Sequence, residues 1–120
     1  MAKRANDSQR EMYGDFASLY WFCWSCASRE NPGRATPAHD IAHILGGPSR
    51  SHDRRNIIRL CRDCHRAQHG EHWPGCPPQL TLANMLWLKK KFDPVHYDRK
   101  YLKSIRIRSG HLPPARWDHG

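Results

Sequence analysis

Apolar side chains recur at three- and four-residue steps in QREMYGDFASLYW (residues 9–21), at Met12, Phe16 and then Leu19 or Tyr20. That spacing predicts an amphipathic helix, weakened by Gly14. From Pro37 to Leu45 a short apolar segment carrying His39, Asp40 and His43 reads as a strand, and Gly46-Gly47-Pro48 ends it. A polar, basic loop, SRSHDRRN (49–56), leads to a second short apolar run, Ile57 to Leu60. The segment CRDCHRAQH (61–69) holds good helix formers and stops at Gly70, a natural C-terminal signal. After a rigid connector, WPGCPP (73–78), Thr81 is placed to cap the helix LANMLWLKKKF (82–92). Leu82, Met85 and Leu86 share one side of that helix, with the stretch from Lys89 to Phe92 offered as its continuation, and Asp93-Pro94 closes it. A weaker helical pattern runs from Tyr97 to Ile105, and Asn31-Pro32-Gly33 marks a tight turn. The elements make an α+β chain with no internal repeat.

Length and composition narrow this picture. A chain of 120 residues is one domain, placed at 9–105 with a central unit at about 37–70 and C-terminal helices at 80–105. Residues 1–8 read as a flexible N-terminus and 106–120 as a basic tail. Only 38% of residues are hydrophobic, so the core is thin, and small domains of this kind often need a metal or disulfide staple. With 20 Lys and Arg against 11 Asp and Glu, the net charge is +9, which favours a polyanionic partner, nucleic acid first and acidic membrane second. No apolar run approaches the roughly 18 residues of a membrane span, and the charged N-terminal stretch has no apolar signal region.

Five cysteines are present, and four fall into two Cys-x-x-Cys pairs, Cys23/Cys26 and Cys61/Cys64. Each such turn directs two sulfurs to one point, so two of them complete a closed four-cysteine zinc site. Two local disulfides or plain buried thiols are the alternatives; a thioredoxin-like redox motif lacks its strand-to-helix setting. Cys76, on the connector, reads as a free thiol. Zinc held this way is structural and ties the N-terminal helix to the far end of the central unit.

His65 and His69 stand four apart on a predicted helix, so both rings emerge from one face, one turn apart. Alone this is more often a solvated face than a ligand pair. On the preceding strand His39, Ile41 and His43 point one way and Asp40 and Ala42 the other. Asn56 lies between strand and helix, where its side chain can pin a loop.

The run AHIL-GG-…-D-RR-N-IIRLC-xx-CH-xxx-H, within residues 23–69, resembles the HNH nuclease motif, the ββα-metal finger, in its four-cysteine zinc subclass. The resemblance implies a small ββα-metal finger with flanking helices and a metal-dependent endonuclease that hydrolyses DNA by nicking or double-strand cleavage. It implies that His43 is the general base, that Asn56 holds the loop and orients that base, and that His65 ligates a catalytic divalent ion. His69 matches a second metal-binding His found in some members. The family usually places Asp or His immediately before the base, whereas this chain has Ala42; Asp40 is the natural substitute ligand and His39 a second candidate. Imidazole ligands accept magnesium, manganese, nickel or zinc, with magnesium the poorest match to nitrogen. Small free-standing members of this kind are encoded by bacteriophages, which implies the cytoplasm of a bacterial host and terminase or other packaging proteins as partners beside DNA, with no membrane.

The chemistry suits the residues. Hydrolysis of an anionic phosphodiester needs an activated water and a cation near the leaving oxygen, and an imidazole with an unperturbed pKa of about 6.5 is ready to accept a proton at neutral pH. Arg54, Arg55, Arg59 and Arg66, with Arg50 and Arg62, crowd the same unit and are the expected phosphate contacts. Lys89-Lys90-Lys91 reads as a solvated basic face, and Trp73 and Trp117 as packing or base-stacking residues. Two other functions fit the chain: a non-catalytic zinc-stapled DNA-binding module derived from such a nuclease, and an adaptor whose basic surface docks an acidic protein.

Overall fold

Two four-residue strands, β1 (Asp40–His43) and β2 (Ile57–Leu60), pair antiparallel, Asp40 opposite Leu60 and His43 opposite Ile57. The computed structural model describes residues 7–29, 36–47 and 51–108. Arg50, Trp117, the turn at 31–33 and most of both chain ends lie outside the described residues. Five α-helices surround the sheet among the described residues: α1 (Asp7–Leu19), α2 (Trp24–Arg29), α3 (Arg62–Gln68), α4 (Leu82–Phe92) and α5 (Arg99–Arg108). The result is a small α+β fold built around one two-stranded sheet. No helix among the described residues is long and apolar enough to cross a membrane.

All four residues of β2 are buried, because α2, α3 and α4 all pack against this strand. That is why its sequence is a continuous apolar run rather than an alternating one. The exception in the run, Arg59, is only 7% exposed; its guanidinium donates to the carbonyls of Tyr20 (2.7 Å) and Ala38 (3.0 Å). On the other side of the core Phe16, Trp24 and Phe92 pack ring to ring, with Trp24 and Phe92 stacked at 5.5 Å. Leu86 and Leu88 of α4 and Leu102 of α5 complete the apolar interior.

Several boundaries differ from the sequence expectation for local reasons. The strand predicted over 37–45 is regular only over Asp40–His43. Beyond His43 the chain turns away from the sheet because the backbone amides of Ile44 and Leu45 are taken by Asn56, through its carbonyl (2.8 Å) and its side-chain Oδ1 (2.9 Å). Gly47, at φ 58°, lies in the turn that follows. The short helix α2 is not predicted; it grows directly out of the first Cys-x-x-Cys turn. Helix α4 has the predicted bounds, and its Thr81 cap forms a reciprocal box with Asn84. Helix α5 starts at Arg99 rather than Tyr97, because residues 94–96 form a 3-10 turn and Asp98 Oδ1 accepts from the amide of Tyr101.

Candidate functional site

The sequence spacing of the four paired cysteines becomes a single cluster. Cys23 precedes α2 and Cys61 caps α3, and in each turn the amide of the second cysteine donates to the sulfur of the first at 3.5 Å. All four are buried, and their sulfurs lie within 4.8 Å of one another. Cys26 Sγ stands 3.7 Å from Cys64 Sγ and 3.9 Å from Cys61 Sγ. Four sulfurs at about 2.3 Å around one tetrahedral ion would be about 3.8 Å apart, so the set fits a metal such as zinc. Without an ion the thiols compete for charge. The hydrogen bond from Cys64 holds Cys23 down at about 5, while that same bond pushes Cys64 up and burial raises Cys61 to about 11. A cation removes the conflict. Arg29 lies outside the cluster and donates through Nη2 to Cys64 Sγ (3.4 Å) and Cys26 Sγ (3.8 Å), offsetting part of the thiolate charge. Cys76 is a half-buried free thiol away from this cluster.

A second constellation shares α3 with the cysteine cluster. His43 closes β1, while His65 and His69 project from α3, and all three line one cavity of about 420 Å³ with Ile41, Gly46 and Gly47. Antiparallel pairing sets the end of β2 beside Asp40 at the start of β1, and α3, which follows after one residue, runs back along β1, so that His65 meets Asp40 and Gln68 meets His43. Asn56 is fully buried and fixes the intervening loop: its Nδ2 donates to the carbonyls of Leu45 and Ser51, both at 3.1 Å. Gln68 of α3 donates to the carbonyl of His43 at 2.9 Å, a direct tie between helix and strand end.

Asp40 Oδ2 lies 3.0 Å from His65 Nδ1. A carboxylate only accepts, so Nδ1 carries the proton and Nε2 is left with the lone pair. That Nε2 is 3.1 Å from Nε2 of His69. That distance is a hydrogen bond between the rings, and since two nitrogens at about 2.1 Å from one ion stand roughly 3.0–3.4 Å apart, it is also a spacing that a single cation could bridge. Asp40 sits behind His65 and orients it; among the described residues the only group of three or more close metal-binding side chains is the cysteine set. Ala42 is fully buried in the core, and His39 is exposed ahead of β1.

The expected phosphate contacts separate into different kinds. Arg59 is a correction: it holds two backbone carbonyls from the interior, burial lowers its pKa, and it is out of reach of a phosphate. Arg55 is committed to Asp53 at 2.8 Å and to Asp98, with its guanidinium 3.4 Å over the ring of Tyr101. Arg54 lies 3.6 Å from Asp93 and over the ring of Phe16. Arg66 is exposed, paired with Glu71 and placed 4.3 Å over Trp73. Lys89, which the sequence offers both to a solvated basic face and to the inward side of the helix, is fully buried, whereas Lys90 and Lys91 are exposed.

Sequence reasoning missed two side chains packed against His43. The Tyr13 hydroxyl lies 3.4 Å from His43 Nε2 and 2.6 Å from His52 Nδ1. Tyr13 stands three residues before Phe16, on the helical face that packs inward, and that periodicity was the available signal. Neither family models, nor curated proteins, nor solved structures gave a match to this chain.

Proposed function

We propose that this protein is a small metal-dependent endonuclease of the HNH, ββα-metal type, hydrolysing phosphodiester bonds in DNA. One observation carries the reading: His43 from a strand and the His65/His69 pair from a helix line the same cavity, with Asn56 bracing the loop between them. His43 accepts the proton of the attacking water. His65 and His69 would hold a divalent ion, which supplies positive charge to the phosphate and the leaving oxygen. Asp40 keeps the His65 ring turned so that Nε2 faces His69. The four cysteines would hold a structural zinc that fixes α3 against α2. The net charge of +9 supports DNA as partner, with exposed Arg66 and Arg62 beside the histidines as the best-placed phosphate contacts.

A second reading is favoured by Ala42 and by the placement of Asp40, which together leave two imidazoles as the close-set ligands. On that reading the chain is a zinc-stapled DNA-binding module without catalysis. Incubating supercoiled plasmid with the purified protein and magnesium, manganese, nickel, cobalt or zinc separates the two. The enzyme converts plasmid to nicked or linear form; the binding module retards it in a gel and leaves it intact.

A further inference from the structure

The Tyr13 hydroxyl is set between two imidazoles, 2.6 Å from His52 Nδ1 and 3.4 Å from His43 Nε2. The His43 and His52 rings meet edge to face with centroids 5.6 Å apart, and Tyr13 packs edge-on to His52 at 5.9 Å. These side chains arrive from α1, from the end of β1 and from the loop before Arg54, so their meeting is a product of the tertiary fold. Phe16, one turn along α1 from Tyr13, is fully buried and packed on Trp24, which fixes the helix and thereby the hydroxyl.

A phenolic hydroxyl has one proton to give and can also accept. Given to His52 Nδ1 across the shorter distance, that proton leaves the oxygen free to accept from His43 Nε2–H. The pairing puts the lone pair of neutral His43 on Nδ1. It also strengthens when His43 becomes an imidazolium, because a charged donor makes the stronger hydrogen bond.

We propose that Tyr13, itself oriented by His52, is the positioning residue for His43, fixing it in the Nε2–H tautomer so that Nδ1 takes the proton. The proposal rests on the endonuclease reading above. In the step it supports, a water O–H bond breaks and its electron pair forms the new O–P bond, while the proton goes to His43 Nδ1. The leaving oxygen departs with the pair of its own P–O bond and takes a proton from solvent, to which His43 later returns the one it received.

Two measurements on the full-length chain test this. With no divalent ion added, nitrogen-15 NMR of the imidazoles should show His43 protonated at Nε2 in the wild type and a mixture of tautomers in Tyr13→Phe. An unchanged tautomer overturns the proposal. In plasmid nicking, Tyr13→Phe should lower kcat about 10- to 100-fold, as loss of an outer partner of a functional histidine does, with KM nearly unchanged. His52→Gln, which retains an acceptor, should keep more activity than His52→Ala. In the His43→Ala background Tyr13→Phe should cost nothing further, whereas a merely structural role would make the losses add. If the wild type nicks and Tyr13→Phe matches it, the positioning role fails while the endonuclease reading stands. If no ion elicits nicking, or His43→Ala nicks fully, the endonuclease reading itself fails and takes the proposal with it.

Discussion

Lys89 shows how far a residue's setting can depart from its sequence neighbourhood. It is the first of three consecutive lysines, yet its ammonium is fully buried and donates to the carbonyls of Arg54 (2.7 Å) and Ile57 (2.9 Å) and to Asp93 (2.9 Å). The register of α4 decides this: Lys89 follows Met85 by four residues and so joins the inward face, while Lys90 and Lys91 do not. Burial draws its pKa down to about 8 against the opposing pull of Asp93. Burial alone would raise Asp93, but hydrogen bonds from Lys89 and His96 outweigh it and hold that carboxyl below the usual range. Lys89→Met leaves two buried carbonyls without this donor and Asp93 with only His96, Tyr20 and the more distant Arg54, with an expected loss of about 2–4 kcal/mol in urea unfolding. The unfolded chain keeps this proton to 10.5, whereas the folded chain releases it near 8, so the unfolded state binds more protons across that interval. Stability from this residue therefore rises with pH there. The difference in urea midpoint between wild type and Lys89→Met should widen from pH 7.5 to pH 9.5; narrowing would show that the sign is wrong. Arg59 makes the same point about charge counts, since a guanidinium within an apolar run was a warning of burial.

At the scale of elements, the helices were legible where an apolar stripe and a cap coincided, as in α4 with Thr81. They were not legible where a short element owed its form to a tertiary cluster, as in α2. The strand was found but overextended, because no local pattern announces that Asn56 will take the amides of Ile44 and Leu45. The family resemblance sets His43, His65 and His69 around one site, and the three line one cavity; the place of Asp40 behind His65, and of Tyr13 against His43, depends on packing angles that spacing does not encode. Asn56 is the brace of this arrangement. Asn56→Ala removes three side-chain hydrogen bonds from a fully buried site. At about 1 kcal/mol each, the expected cost is about 2–4 kcal/mol, read as a lowered thermal midpoint with the zinc content of the purified protein unchanged from wild type. An unaltered midpoint would mean that the loop holds its shape without this side chain.

For the molecule as a whole, one buried four-cysteine cluster links the N-terminal helices to the sheet and α3, and the apolar core it reinforces is small. With zinc proposed in that cluster, a strong chelator should abolish the near-ultraviolet circular dichroism to which the buried Trp24 contributes, and restoring zinc should recover it. Cys61→Ser should behave as the chelated protein does; a variant that keeps its native signal with no bound metal would show that the core is sufficient alone. The catalytic reading places the work elsewhere, on the histidines of β1 and α3, and so its test must spare the staple. The most direct measurement is the single-turnover rate of strand cleavage on a DNA duplex, with divalent ion present, for wild type, His43→Ala and His65→Ala, each checked for equal zinc content and equal DNA binding. Cleavage by the wild type and a loss of at least about 100-fold in both variants is the expected result. Wild-type protein that binds the duplex and leaves it uncut with every ion, or variants that cut as fast as wild type, would contradict it.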